Sequence, residues 1–87
     1  DREMHYRIVA TVRFKKSVLE PQGQAVMLSL QGKGHESVRS IRVGRYIELE
    51  IEAKDEAAAM QEAQKMAEEI LYNPVMEVCE LKAEQIS

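Results

Sequence analysis

The sequence predicts an α+β fold, one antiparallel sheet carrying two helices on a single face. Two observations call for the sheet: apolar/polar alternation from Tyr6 to Phe14, with Val9 on the polar parity, and again in Ser40 to Glu52, strict from Ile47 onward. A third calls for the helices, since the stretches opened by Glu20-Pro21 and by Asp55-Glu56 carry apolar residues three and four positions apart. With a closing strand after Asn73-Pro74 the order is β-α-β-β-α-β. Right-handed crossovers then place both helices on one side, a two-layer ferredoxin-like arrangement.

The first strand sets Tyr6, Ile8, Ala10, Val12 and Phe14 on one parity and Arg7, Val9, Thr11 and Arg13 on the other. Proline at the first helical position presets φ at no hydrogen-bond cost, so Pro21 starts the first helix with Glu20 as its cap. Gly23 in the first turn is a mild defect, about 1 kcal/mol worse than alanine, and points to a tight approach of that turn to the sheet or, alternatively, to a partner. Ala25, Val26, Met27 and Leu30 are expected to form its buried stripe, and Gly32-Lys33-Gly34 ends it with residues free to take positive φ.

The stretch Ser40 to Glu52 is the most strongly specified in the chain. Read as a hairpin, a two-residue loop at Gly44-Arg45 would set Ile41 against Glu48. A three-residue loop, Gly44 to Tyr46, instead pairs Val43 with Ile47, Ile41 with Leu49 and, on the outer face, Arg42 with Glu48. The second helix follows from Glu56 to Tyr72, capped by Asp55, with Ala59, Met60, Ala63, Met66, Ala67, Ile70 and Leu71 inward. Asn73-Pro74 stops it, and Val75 to Leu81 forms the last strand.

One domain, residues 4–82, accounts for this pattern; residues 1–3 read as remnants of an expression vector before a natural start at Met4, and residues 83–87 as a frayed tail. A chain of 87 residues buries only about 60% of its unfolded surface, which favours association. The helices leave uncovered the other sheet face, where Arg7, Val9, Thr11, Glu48 and Glu50 interleave opposite charges and suit a two-fold contact with a second copy.

Chemistry is nearly absent. With 12 Lys+Arg against 15 Asp+Glu, one Phe and three Tyr, nothing asks for nucleic acid, and no apolar run reaches the 18 or so residues of a membrane span. A single cysteine, Cys79, fits a reducing compartment, and the chain reads as cytoplasmic. His5, His35 and Cys79 lack any metal-ligand spacing, and Glu48, Glu50 and Glu52 stand roughly 7 Å apart along a strand face, too far for a shared ion. No catalytic, cofactor or metal residue is therefore assigned. Arg42, Arg45 and Tyr46 at the hairpin tip, with Glu20, Gln22 and Asn73 at the element ends, are the expected partner contacts.

Val18-Leu19-Glu20-Pro21-Gln22-Gly23 with Ala25-Val26, Val38 with Ile41 to Leu49, and Leu71 with Asn73 to Glu77 resemble the three signature stretches of the PurS family. PurS is the small subunit of phosphoribosylformylglycinamidine synthase. The resemblance spans Tyr6 to about Leu81; Glu20 stands where the family commonly has Asp, Arg45 where it has Lys, and Cys79 where it has an aromatic residue. It implies a non-catalytic subunit that bridges the synthetase PurL and the glutaminase PurQ, as a homodimer or homotetramer. The complex, not this chain, uses ATP, Mg2+ and glutamine to convert formylglycinamide ribonucleotide to formylglycinamidine ribonucleotide. From topology alone, a regulatory module binding a small ligand between paired domains is the alternative.

Overall fold

The long strand β1 (Met4–Phe14) runs down the middle of the sheet, with β2 (Arg45–Ala53) on one side and β3 (Glu77–Gln85) on the other. The computed structural model describes residues 3–86, so the reading of Asp1 and Arg2 as vector remnants falls outside the described residues. Both pairings are antiparallel: Ile8 lies opposite Leu49 and Ala83, Ala10 opposite Ile47 and Leu81. The predicted alternation holds, since Tyr6, Ile8, Ala10 and Val12 are buried while Thr11 and Arg13 are exposed. Burying Ile8 and Val12 completely contributes about 1.5–3 kcal/mol each.

Helix α2 (Glu56–Met66) covers the inward face, with Ala59 and Ala63 against Tyr6, Ile8 and Ala53. Alanine at these contacts lets the helix lie close to the sheet. Asp55 caps it, its Oδ1 accepting from the Ala58 N–H at 2.8 Å. The helix then widens into one π turn, Ala67–Leu71, where the Tyr72 N–H reaches back to the Ala67 carbonyl. That extra residue in the turn rotates Ile70 out to 83% exposure, against the expectation that it faces inward.

Two expectations about the last strand are corrected. The last strand begins at Glu77 rather than Val75, because Asn73 holds Val75 and Met76 in a turn through its side chain and carbonyl. The strand runs to Gln85, beyond the expected fraying at residue 83, because β1 offers it partners as far as Tyr6.

The largest correction concerns the hairpin. Residues 38–44 are extended but pair with no strand, and β2 begins only at Arg45. The chain does not fold back at Gly44; Ile41, Val43, Ile47, Leu49 and Ile51 share a parity along one continuous stretch. Helix α1 (Pro21–Gly32) packs on this strap instead of on the sheet, with Gln31 Nε2 donating to the Val38 carbonyl at 3.2 Å. The stripe expected to be buried is only partly so: Ala25 and Val26 are exposed, Met27 and Leu30 half-buried, and Leu28, outside the expected stripe, is exposed as well.

Helix and strap form an arm that projects from the end of the sheet. An 11-residue strand is about 36 Å long and a 12-residue helix about 18 Å. Set end to end they reach nearly the 59 Å length of the molecule. The radius of gyration, 17.1 Å, is accordingly well above the roughly 12 Å of a compact chain this size.

Candidate interaction surface

The residues predicted to contact partners gather at one end of the molecule, where the arm leaves the sheet, and most are used inside the chain. Glu20 caps α1 and is nearly buried: Oε2 accepts from the Gln22 N–H at 2.7 Å, and Oε1 accepts from the Gly23 and Val43 N–H groups at 2.6 and 2.9 Å. One carboxylate thus ties the first turn of α1 to the strap. The Val43 amide above all, with those of Gly23 and Gln22 and the charge of Arg42, holds its carboxyl below the usual range, against the opposing pull of burial. Gly23 is required here, because a Cβ would collide with the Ile41 carbonyl and with the Glu20 carboxylate. The close approach is thus made by the strap, not by the sheet expected from the sequence.

Arg42 is spent on the backbone. Its Nη2 donates to the carbonyls of Lys15 at 2.9 Å and Val18 at 2.6 Å, fastening the strap to the turn that follows β1. Arg45 makes the second clasp. Its Nη1 donates to Glu77 Oε2 at 2.9 Å and its Nη2 to Glu77 Oε1 at 3.2 Å and to the Leu71 carbonyl at 2.7 Å. Glu77, almost wholly buried, also accepts from the Asn73 N–H at 2.8 Å. Arg45 chiefly, and the Asn73 amide, hold the Glu77 carboxyl below its usual range while burial opposes them. Together the two clasps hold the arm, the sheet end and the loop before β3 in one orientation.

Of the residues expected to contact partners, Gln22 and Tyr46 stand outward at this end, with side chains that take part in neither clasp. Gln22 is exposed, and Tyr46 is 66% exposed with its hydroxyl 3.4 Å from Glu48 Oε2. Beside them stand apolar side chains that the sequence reading did not single out, Leu19, Val75 and Met76, with Met76 anchored next to β1 by the Lys15 N–H at 2.9 Å. Val75 and Met76 escaped notice because the sequence reading placed them in the last strand, which begins only at Glu77. Glu77 was likewise missed; its one trace was an acid at an inward position of an otherwise apolar strand row.

On the open sheet face, the charges read as complementary between copies are matched within the chain. Arg7 Nη1 meets Glu84 Oε1 at 3.0 Å and its Nε lies 3.9 Å from Glu48 Oε2. Val9 sits between Glu48 and Lys82, Thr11 between Tyr46 and Glu80, and Glu50 opposite Arg7. Cys79 is half-buried on β3, and burial pushes its thiol up, away from the reactive thiolate. Among the described residues no cluster of His, Cys, Asp and Glu could hold a metal ion, and no helix is long and apolar enough to cross a membrane.

Comparison with known proteins places this arrangement in a family. The family model described as PurS, phosphoribosylformylglycinamidine (FGAM) synthase, matches residues 7–85. The phosphoribosylformylglycinamidine synthase subunit PurS of Synechocystis is 47% identical over 73 residues, 84% of this chain and 71% of that protein. Its Bacillus subtilis counterpart is 35% identical over 93% of this chain and 95% of its own length. The solved B. subtilis PurS superposes with a TM-score of 0.82 at 34% identity, covering 91% of this chain and 98% of that one. A chain in the structure of PurLQS from Thermotoga maritima superposes with a TM-score of 0.78 at 28% identity, covering 94% of this chain and 98% of that one.

Proposed function

Because the chain belongs to the PurS family, we propose that it is the small, non-catalytic assembly subunit of FGAM synthase, bridging the PurL synthetase and the PurQ glutaminase. The observation that carries this reading is the likeness, along nearly the whole chain, to a chain found in a PurLQS assembly. The chain's own residues suit such work: its buried carboxylates Glu20 and Glu77, with Arg42 and Arg45, hold its shape, and apolar and aromatic side chains stand exposed at the same end. ATP, Mg2+ and glutamine belong to the chemistry of the complex, in the cytoplasm, where formylglycinamide ribonucleotide becomes formylglycinamidine ribonucleotide.

The partner-contacting end is the clasp end, with Tyr46 and Gln22 touching the larger subunits beside Leu19, Val75 and Met76. Glu20, Arg42, Arg45 and Asn73 serve that contact by holding its shape. Self-association completes the subunit, and the outer face carrying Arg7, Val9, Thr11, Glu48 and Glu50 is the surface by which pairs build a tetramer.

Reconstitution tests the assignment. PurL and PurQ, supplied with formylglycinamide ribonucleotide, ATP, Mg2+ and glutamine, are expected to amidate the substrate with glutamine as nitrogen donor only when this chain is added. Equal glutamine-dependent turnover with and without it overturns the reading.

A further inference from the structure

Ile70 follows Ala67 by three positions, Ala63 by seven and Ala59 by eleven. In an unbroken α-helix those spacings put it on the face of Ala59, Ala63 and Ala67, all three fully buried. It is instead 83% exposed, because Ala67–Leu71 widens into a π turn closed by the Tyr72 N–H on the Ala67 carbonyl at 3.2 Å. Leu71 is the half-buried one in its stead. Leaving an isoleucine in water, beside the buried face its own helix would give it, is unfavourable, so something must hold the turn open.

Arg45, the first residue of β2, holds it. Its Nη2 donates to the Leu71 carbonyl at 2.7 Å while the same guanidinium grips both oxygens of Glu77, at 2.9 and 3.2 Å. Glu77 opens β3 on the inward row that continues through Cys79, Leu81 and Ala83, opposite Phe14, Val12, Ala10 and Ile8 of β1. It is only 6% exposed. A buried carboxylate at that position is a poor neighbour for an isoleucine and a good one for a guanidinium, and charge-assisted bonds of this kind are short and strong. The Asn73 N–H on Glu77 Oε1 at 2.8 Å, with the Glu77 N–H on the Asn73 carbonyl at 2.7 Å, closes the turn between helix and strand. The end of α2, that turn and the starts of two strands thus meet at one side chain. Yet the Arg45 side chain is itself 49% exposed, and can be drawn off from the solvent side. Single π turns inside α-helices are rare and frequently mark functional positions.

We propose that Arg45 is a latch with two positions. Closed, as in this structure, it keeps the π turn, with Ile70 outward and Leu71 half-buried. Open, with the guanidinium withdrawn, the Ala67 carbonyl takes the Leu71 N–H in place of that of Tyr72, and the resulting α turn carries Ile70 inward and Leu71 outward. The two-state element is a single hydrogen-bond register. What it sets is whether an isoleucine is offered to a partner a few residues before the exposed Val75 and Met76. A protein seated on Ile70 favours the closed form and by linkage tightens the hold of Arg45. The device belongs to the fold of the chain and does not rest on the assembly role proposed above.

The test uses the full chain with Cys79→Ala and Ile70→Cys, and reads the rate at which an aromatic disulfide reagent labels the introduced thiol. With Arg45 present the rate should match that of Glu62→Cys, an exposed position on α2 that the latch does not move. Adding Arg45→Met should slow Ile70→Cys about tenfold or more, since a buried thiol reacts only through local opening, and leave Glu62→Cys unchanged. Urea unfolding gives a second reading without the thiol. In the parent chain Leu71→Ala lowers the midpoint and Ile70→Ala does not; in Arg45→Met the order reverses. If Arg45→Met alone fails to fold, Arg45→Met with Glu77→Leu, which removes the buried charge together with its partner, carries both readings. Equal labelling with and without Arg45, or a folded variant in which Ile70→Ala is still without effect, overturns the latch. Neither reading involves PurL or PurQ, so the latch and the assembly role fail separately.

Discussion

Among the described residues Glu20 and Glu77 are the two buried acids, and each satisfies several donors at once. Both carboxyls are held below the ordinary value of 4.5, so the folded state prefers their charged forms. A group with a depressed folded pKa contributes stability that is present above the unfolded value and lost as pH falls through it and on through the folded one. The thermal midpoint is thus expected to be level above about pH 5 and to fall steadily below it. Glu77→Gln should lower the neutral midpoint and flatten the acid fall; a variant whose acid profile matches the parent's contradicts the clasp. Gly23→Ala tests the other clasp. Its methyl has no room between the strap carbonyl and Glu20, so a loss of about 1–3 kcal/mol in urea unfolding is expected, whereas alanine in an open helical turn would stabilise. At this scale the sequence was half legible. Pro21, Gly23, Asp55 and the Asn73-Pro74 stop each announce their role through backbone chemistry. The targets of Arg42 and Arg45 could not be read, because their acceptors, the Lys15, Val18 and Leu71 carbonyls and Glu77, are 24 to 32 positions away.

Elements were legible where one face alone is buried. β1 and β2 follow their parity residue by residue, since a one-residue slip would turn Ile47, Leu49 and Ile51 outward and three Glu inward. α2 follows its period of three and four until the π turn, where a single added residue undoes the prediction for Ile70. No local signal marks that turn; it answers to the Arg45 guanidinium taking the Leu71 carbonyl. Asp55 is a measurable part of α2. Asp55→Ala removes the acceptor for the Ala58 N–H and should cost about 1 kcal/mol in chemical unfolding with no change in oligomeric mass. Ala63→Leu, in contrast, forces three more carbon atoms between α2 and β1 and should cost more, about 1–3 kcal/mol.

For the whole molecule the extended shape is the property that matters. A single copy is 59 Å long, and the helix on its arm leaves Val26 and Leu28 exposed. Charging the exposed face of α1, by Val26→Glu with Leu28→Lys, should leave far-UV circular dichroism nearly unchanged while halving the mass seen in sedimentation. A variant that stays dimeric shows that α1 has no part in pairing. The same variant bears on assembly, since a bridging subunit that cannot pair should lose glutamine-dependent amidation with PurL and PurQ while PurQ's glutaminase fold is untouched.

Local pattern was enough to specify the strand faces, the helix starts, the fold class and, through three motifs, the family, because each depends on residues within a few positions of one another. Whether Ile41 and Val43 close a hairpin on their own β2 or reach past it does not depend on those residues. Parity is the same along a bent path and a straight one. Tertiary structure decided it, through the Glu20 carboxylate holding Val43, Arg42 holding the turn after β1, and backbone crowding at Gly44, all contacts between segments distant in the chain.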